Sequence, residues 1–221
     1  MSSVHIVAVT VPFTKEATHA EEFIAYCARV SNPANQANIE TAPKLINYMV
    51  KNQHWSPFEM AHAVMEITTT RDIARQILRH RSFSFQEFSQ RYAAVVEPPV
   101  IRETRLQDTK NRQSSLATED EDLQAWWEHQ QQAIADETVH AYQTALAKGI
   151  AKEVARAVLP EGLTASRLYM AGTIRSWIHY IQLRSSNGTQ KEHREIAVAC
   201  RDQLLIHLPT LQEVLNGQRE H

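Results

Sequence analysis

The fold is indicated by residues 61–81, AHAVMEITTTRDIARQILRHR, in which a strand pattern changes into a helix pattern. The first ten residues end in the β-branched run Ile-Thr-Thr-Thr, which favours a strand. From Arg71 onward the apolar residues recur at helical spacing, with Ile73 and Ile77 on one face and charged or amide side chains on the other. We therefore predict a strand that leads directly into a helix ending near Arg81.

The rest of the chain adds strand and helix patterns in no repeating order. Strands are predicted at residues 4–11, 61–70, 91–96 and 167–171. Helices are predicted at residues 16–30, 41–52, 71–81, 121–147, 151–159, 175–184 and 190–207. This mixture predicts an α+β fold with a small, mostly antiparallel sheet packed by several helices.

Two segments are predicted to be irregular. Residues 82–90 (SFSFQEFSQ) are interpreted as a polar-aromatic loop. Residues 102–122 are the least apolar and most charged part of the chain, and we interpret them as a mobile surface insert. No repeat, linker or low-complexity tract divides the sequence, so residues 1–221 are expected to form a single domain.

Composition excludes several classes of protein. Lys and Arg total 23 against 25 Asp and Glu, and the net charge of −2 does not favour the capture of long nucleic acid. No run of eighteen apolar residues and no secretory leader occurs, so a cytoplasmic protein without membrane contact is expected. Cys27 and Cys200 form no disulfide or zinc pattern, and the eleven histidines lack metal-ligand spacing, which predicts no metal site.

Any phosphate must be held by side chains, because the five glycines cannot form a Walker loop or a GxGxxG turn. The densest supply of cationic groups lies between residues 71 and 91. These are Arg71, Arg75, Arg79, Arg81 and Arg91. They could grip an anion with their rigid guanidinium forks, or they could be a solvated basic helix end stabilised by the helix dipole.

A second candidate is the helix at 175–184, where Arg175, His179 and Gln182 share one stripe. This stripe could contact a cofactor or be an ordinary exposed polar face. Arg156 and Arg184 lie among apolar neighbours in the sequence, and a buried guanidinium requires a partner.

The run Arg79-His80-Arg81 followed after seven residues by Ser89 resembles the signature of the flavin-dependent thymidylate synthases. The nearby residues Glu87, Arg91 and Tyr92 extend the match. Further matching segments follow in the family's order, at residues 28–31, 54–59, 74–76, 153–160 and 175–192.

The resemblance implies the fold and the chemistry of that family. Members methylate dUMP to dTMP without a cysteine nucleophile, with methylenetetrahydrofolate as carbon donor and FAD, reduced by NADPH, as hydride source. They are homotetramers whose sites are shared between subunits, and the partners expected here are dUMP, folate and NADPH. A non-catalytic, arginine-rich nucleotide- or RNA-binding module is the alternative, although no RNP-like or KH-like motif is present.

The resemblance also assigns roles to residues of this chain by position. The expected flavin contacts are Arg79, His80, Arg81, Glu87, Arg175 and His179. The expected dUMP contacts are Gln76, Arg79, Glu87, Phe88, Ser89, Arg91, Arg156 and Arg184. The expected catalytic residues are Arg184, Ser89 and His54.

Within that set, Arg184 is expected to stabilise charge on the uracil ring. Ser89 is expected to donate a hydrogen bond rather than attack, because the motif places no base beside it. His54 matches a position on the flavin and folate side. The chain departs from the family pattern at Gln86 (usually Asn), at Met60 (often His) and at Gly172-Thr173, where some members have an Asn that contacts flavin.

Overall fold

The computed structural model describes residues 2–216 and confirms the α+β class. Its strands are β1 (Ser3–Val9), β2 (His62–Thr70), β3 (Ser84–Glu87), β4 (Arg105–Gln107), β5 (Ser115–Ala117) and β6 (Ala165–Thr173). Its α-helices are α1 (Ala20–Ala28), α2 (Ala42–Lys51), α3 (Arg71–Ile77), α4 (Glu121–Ala147), α5 (Lys152–Ala155), α6 (Ile174–Arg184), α7 (Lys191–His207) and α8 (Gln212–Asn216).

Four strands form one antiparallel sheet in the order β1-β2-β6-β3. Side chains alternate along β2 and β6, so that Met65, Ile67, Leu168 and Met170 are fully buried on one face. Helices α3, α6 and α7 cover that face, with Trp177 of α6 at the centre of the apolar core. The sheet therefore provides the base on which α3 and α6 carry Arg71, Arg75, Arg175 and Arg184.

The segment interpreted as a loop contains a strand instead. Ser84–Glu87 pairs with β6, with Ser84 opposite Ala171 and Glu87 opposite Leu168. Phe83 and Phe85 alternate with serines, and this period of two is a strand pattern that the many polar residues obscured. The loop prediction for residues 82–90 was wrong at its centre.

Residues 91–96, predicted as a strand, form no strand in the structure. The chain turns after Ser89, whose carbonyl accepts hydrogen bonds from the N–H groups of Tyr92 and Ala93. The Val95 N–H is bonded to the Tyr142 hydroxyl of α4 rather than to another strand. Tertiary contacts to a helix therefore replace strand pairing here.

Several other boundaries differ from the predictions. Helix α1 is shorter than predicted and begins at Ala20, and the helix predicted over 71–81 ends as an α-helix at Ile77. β6 is longer than predicted, and the short helix α8 was missed. Within 102–122, β4 and β5 form a hairpin that leads into α4.

Candidate active site

Helices α3 and α6 start at opposite ends of one strand pair and converge. β2 runs directly into α3 at Arg71, whereas β6 runs into α6 after Thr173, whose hydroxyl accepts the Ser176 N–H at 3.1 Å and caps the helix. Because β2 and β6 are antiparallel, the helices approach each other across the sheet. Their far ends bring His80 and Arg184 together.

Arg184 and His80 form a direct contact, in which Arg184 Nε donates to His80 Nε2 at 3.0 Å. Burial, and then the charge of Arg184, lower the pKa of His80, so the imidazole is neutral and acts as the acceptor. The His80 ring also meets Tyr180 edge-on, with ring centroids 4.9 Å apart. Arg184, whose guanidinium was predicted to need a partner, thus has a neutral partner and keeps its positive charge.

A buried polar group that the sequence analysis missed lies behind this pair. His193 of α7 has no exposed surface, and its ring nitrogens lie 3.3 Å from Gln76 Oε1 and 3.2 Å from the Tyr180 hydroxyl. A signal was present, because His193 shares the helical stripe of the buried residues Ile196 and Cys200. A histidine on an apolar stripe indicates a buried polar partner.

Arg79 and Arg81 lie at the exposed edge of the same cluster. Both are exposed, and neither forms an ion pair with any residue between 2 and 216. These two cationic side chains have no carboxylate partner and lie beside a buried, ordered group. They are therefore suited to bind an anionic ligand.

Arg175 and His179 of α6 contact a short turn that follows His54 in the chain, whereas the His54 ring itself meets Tyr48 of α2 at 5.9 Å. Arg175 is paired with Glu59 of the Ser56–Glu59 turn, and the His179 ring packs edge-on against Trp55 at 4.8 Å. Burial, followed by the charge of Arg175, lowers the pKa of His179. His54 is exposed just before the turn, so this turn joins all three predicted residues.

Glu87 lies at the other end of β3. Glu87 Oε1 accepts the Ser166 hydroxyl at 2.8 Å and lies 3.6 Å from Arg71. The next residue, Phe88, donates its N–H to the carbonyl of Arg167. Glu87 is therefore held from two sides, at the end of β3 opposite to Ser84.

Ser89 and two arginines complete this second group. Arg91 Nε contacts Glu153 at 3.3 Å, and Arg156 Nε donates to the Glu153 carbonyl at 3.3 Å. Ser89 Oγ accepts the Arg91 N–H at 3.4 Å, and in the described part of the chain no histidine or lysine bonds to it. That arrangement supports a hydrogen-bonding rather than a nucleophilic Ser89.

The predicted residues therefore fall into two groups within one chain. The α3–α6 group contains Gln76, Arg79, His80, Arg81, Arg175, His179 and Arg184, with His54 at its edge. The β3-end group contains Glu87, Phe88, Ser89, Arg91 and Arg156. At about 3.3 Å per residue, β3 alone holds its ends about 10 Å apart.

The hairpin connects to the site through charged residues that the sequence analysis did not assign. Arg105 Nη2 contacts Glu192 at 2.6 Å, and Arg102 contacts Asp72 at 2.7 Å and Glu192 at 3.6 Å. Burial pushes the pKa of Glu192 upward, but hydrogen bonds and the two arginines bring it below its usual value. Glu192 is therefore ionised at neutral pH.

The departures from the family pattern also have structural positions. Gly172 packs against Phe83, because a Cβ at that position would lie 2.4 Å from Phe83 Cδ1. Met60 and Gln86 are exposed. Among residues 2–216 no group of three or more His, Cys, Asp or Glu side chains is placed to hold a metal ion, and no helix is both long and apolar enough to cross a membrane.

Comparison with a solved structure defines the class of protein. The fold is similar to that of the UMP/dUMP methylase PolB from Streptomyces cacaoi bound with 5-Br dUMP, with a TM-score of 0.80 and 25% identity. The similarity covers 98% of this chain and 95% of that one. The fold is therefore that of a class which includes a nucleotide methylase.

Sequence comparisons identify the family. Residues 14–210 match the family model described as "Thymidylate synthase complementing protein". The chain is 50% identical over 214 residues to the "Probable flavin-dependent thymidylate synthase" of Paramecium bursaria Chlorella virus 1, covering 97% of this chain and 99% of the relative. It is 53% identical over 195 residues to the flavin-dependent thymidylate synthase of Synechocystis sp., covering 88% and 89%. The chain belongs to the flavin-dependent thymidylate synthase family, and it is a flavin-dependent enzyme.

Proposed function

We propose that the enzyme converts dUMP to dTMP, with methylenetetrahydrofolate as the carbon donor and FAD, reduced by NADPH, as the hydride source. The proposal rests on one geometric observation, which is that Arg184 is held by a neutral His80 beside the unpaired Arg79. A fixed, partly buried cation is suited to a ring on which negative charge develops. Residues 1–221 would act as one catalytic domain with an insert at 102–122.

The residues of the α3–α6 group suit a flavin dinucleotide. Arg79 and Arg81 offer two free guanidinium groups to a diphosphate, which the chain cannot bind with a glycine-rich loop. We assign His80, Arg175 and His179 to the same cofactor, and Glu87 to the cofactor and the nucleotide. When bound, the cofactor supplies the hydride that completes the methyl group.

The β3-end group suits the nucleotide phosphate. Arg91 contacts the carboxylate of Glu153 and Arg156 contacts its backbone carbonyl, and a dianionic phosphate would hold each guanidinium more strongly than these exposed groups do. Ser89 and the Phe88 backbone would contribute further hydrogen bonds. Gln76 and Arg79 would reach the same nucleotide from α3.

We assign the charge-stabilising role in the reaction to Arg184. For uracil C5 to become nucleophilic toward the methylene carbon, negative charge must first build up on the ring, and a guanidinium at the ring edge lowers the energy of that state. His80 orients the guanidinium and, being neutral, does not compete for the negative charge. His54 lies on the side of the site assigned to flavin and folate.

We further propose a homotetramer in which each site combines the α3–α6 group of one subunit with the β3-end group of another. The separation of the two groups along β3 is compatible with this arrangement, because a site shared between subunits does not require one chain to bring both groups together. It also explains how so many like charges are tolerated, since shared anionic ligands would neutralise them. A cytoplasmic location suits the two unpaired cysteines, Cys27 and Cys200.

The reaction is tested on the purified protein. We expect flavin absorbance in the visible spectrum, dUMP-dependent oxidation of NADPH, and dTMP formation only when methylenetetrahydrofolate is added. A colourless protein that takes up no FAD but still binds dUMP would instead indicate the nucleotide-binding module. Flavin binding with no dTMP formed would contradict the proposed reaction.

Shared sites are tested by combining two impaired variants, assayed at a dUMP concentration well below the KM of either. Arg184→Ala impairs the α3–α6 group, and Arg91→Ala impairs the β3-end group. When the two are co-expressed, random assembly restores about one quarter of the sites if the groups come from different subunits. Activity no higher than that of either variant alone would show that each site lies within one chain.

A further inference from the structure

Two hydrogen bonds hold His193 below the site. Its Nε2 lies 3.2 Å from the Tyr180 hydroxyl, and its Nδ1 lies 3.3 Å from Gln76 Oε1. The histidine is completely buried, and so is Tyr180 apart from about one hundredth of its surface. Nothing in the proposed reaction uses either residue directly.

The protons in this cluster can be assigned. Burial, followed by the charge of Arg184, lowers the pKa of His193 to about 3, and burial raises the pKa of Tyr180 well above its usual value. His193 is therefore neutral and Tyr180 keeps its proton. The hydroxyl donates to Nε2, which leaves the ring proton on Nδ1, and Nδ1 donates to Gln76 Oε1.

The nitrogen of the Gln76 amide is also held, and the hydrogen bonds continue in the same order from donor to acceptor. Gln76 Nε2 donates to Gln190 Oε1 at 2.7 Å, and Gln190 Nε2 donates to Glu192 Oε2 at 2.9 Å. Glu192 is ionised and can only accept, and Arg105 binds its other oxygen. The donor chain from Tyr180 to Glu192 thus allows only one orientation of the Gln76 amide.

We propose that His193 is a positioning residue for dUMP binding, which fixes the amide of Gln76 so that its remaining N–H and its remaining carbonyl lone pair face the nucleotide. The inference rests on the proposed function, because it takes Gln76 as a dUMP contact. Without the His193 proton, the amide keeps its bond to Gln190 but loses the bond that holds its carbonyl side, so its geometry is less ordered before the nucleotide arrives.

Two substitutions at His193 separate positioning from packing. His193→Asn keeps an amide N–H near the position of Nδ1, whereas His193→Leu keeps the bulk but removes the donor. In the flavin-loaded enzyme we expect His193→Leu to raise the KM for dUMP about 5- to 10-fold, the effect of one lost net hydrogen bond, with little change in kcat. His193→Asn should stay within about twofold of the wild type.

Tyr180→Phe provides a milder variant in case His193→Leu does not fold. It removes only the hydroxyl that sets the ring proton, so the KM for dUMP should rise about 2- to 5-fold. The double variant Tyr180→Phe with His193→Leu leaves no buried hydroxyl without a partner. It should match His193→Leu in KM while unfolding at a higher temperature.

A double-mutant cycle with Gln76→Ala decides whether His193 acts through Gln76. If it does, His193→Leu has no further effect on the KM for dUMP once Gln76 is truncated. Equal effects in both backgrounds, or equal KM values for His193→Asn and His193→Leu, would overturn the inference. A wild-type holoenzyme that neither binds nor methylates dUMP would overturn the proposed function instead.

Discussion

The arginines at the two ends of β3 are held in different ways. At the α3–α6 end, Arg184 contacts a neutral imidazole supported by the buried Tyr180 and His193, so its position is set before any ligand binds. At the other end, Arg91 contacts an exposed carboxylate of Glu153 and the exposed ring of Tyr92. A buried polar cluster orders a side chain, whereas an exposed ion pair contributes little order or stability. The first end is preorganised within the chain, and the second depends on a ligand or a second subunit.

The largest effect is expected at the ordered end. Arg184→Ala should lower kcat/KM for dUMP methylation by about 10²- to 10³-fold, the loss measured when one preorganised charge-stabilising donor is removed. Because Arg184 also lowers the pKa of His80, that pKa should rise in the variant, which NMR titration of the imidazole can follow. A variant that retains near wild-type kcat/KM would exclude the role given to Arg184.

At the exposed end, Arg91→Ala should weaken dUMP binding by about 1.5–3 kcal/mol, because a charged hydrogen bond to the phosphate is lost. Arg75 is a matched control, since its ion pair with Glu161 leaves the two side chains 56% and 53% exposed, against 57% and 54% for Arg91 and Glu153. Calorimetric titration of dUMP into both variants makes the comparison. Equal losses of dUMP affinity in the two variants would mean that the effect comes from removing a positive charge in general and not from a contact of Arg91 with the phosphate.

The buried cluster should also make stability depend on pH. The folded-state pKa of His193 is about 3, below the ordinary value of 6.5, so the unfolded chain takes up the proton first as the pH falls. Stability is therefore lost as pH falls from about 6.5 towards 3, by about 2 kcal/mol between pH 7 and pH 5. Urea unfolding of wild type and His193→Asn at both pH values measures this. If both proteins lose the same free energy of unfolding between the two pH values, groups other than His193 are responsible.

The smallest of these effects concerns the packing under the ordered end. Gly172→Ala should destabilise the protein by about 1–2 kcal/mol, because the new methyl group would overlap the Phe83 ring, which Trp177 and Tyr180 hold in place. Gly188→Ala is the control, since a Cβ there meets no atom within 4 Å. Thermal unfolding of both variants tests this, and similar melting temperatures would show that the Phe83 ring moves freely.

The sequence predicted the long regular elements better than the short irregular ones. β2 and α4 lie close to the predicted ranges, because each has a sustained period or strong end signals, such as Asp120, which caps α4 through the Leu123 N–H. β3 was missed because four residues carry little periodic signal and its pairing partner lies about eighty residues later. Local patterns do not encode such long-range pairing.

The candidate site was predictable as a set of residues but not as an arrangement. The motif from Arg79 to Ser89 indicated the family, which the comparisons confirm, while the roles of single residues stay predictions. Neither spacing nor motif indicated that His80 would accept a bond from Arg184, or that His193 would lie beneath Gln76. These contacts join residues separated by 104 and 117 positions in the chain.

The amino-acid sequence by itself determined the class of fold, the family and the supply of guanidinium groups, because periodicity and motif are local properties. Only the tertiary structure decided which arginines are ordered and which are free. Burial, proton placement and partner choice depend on groups brought together by the sheet and the converging helices α3 and α6. These three properties depend on distances in space, which cannot be read from the order of residues in the chain.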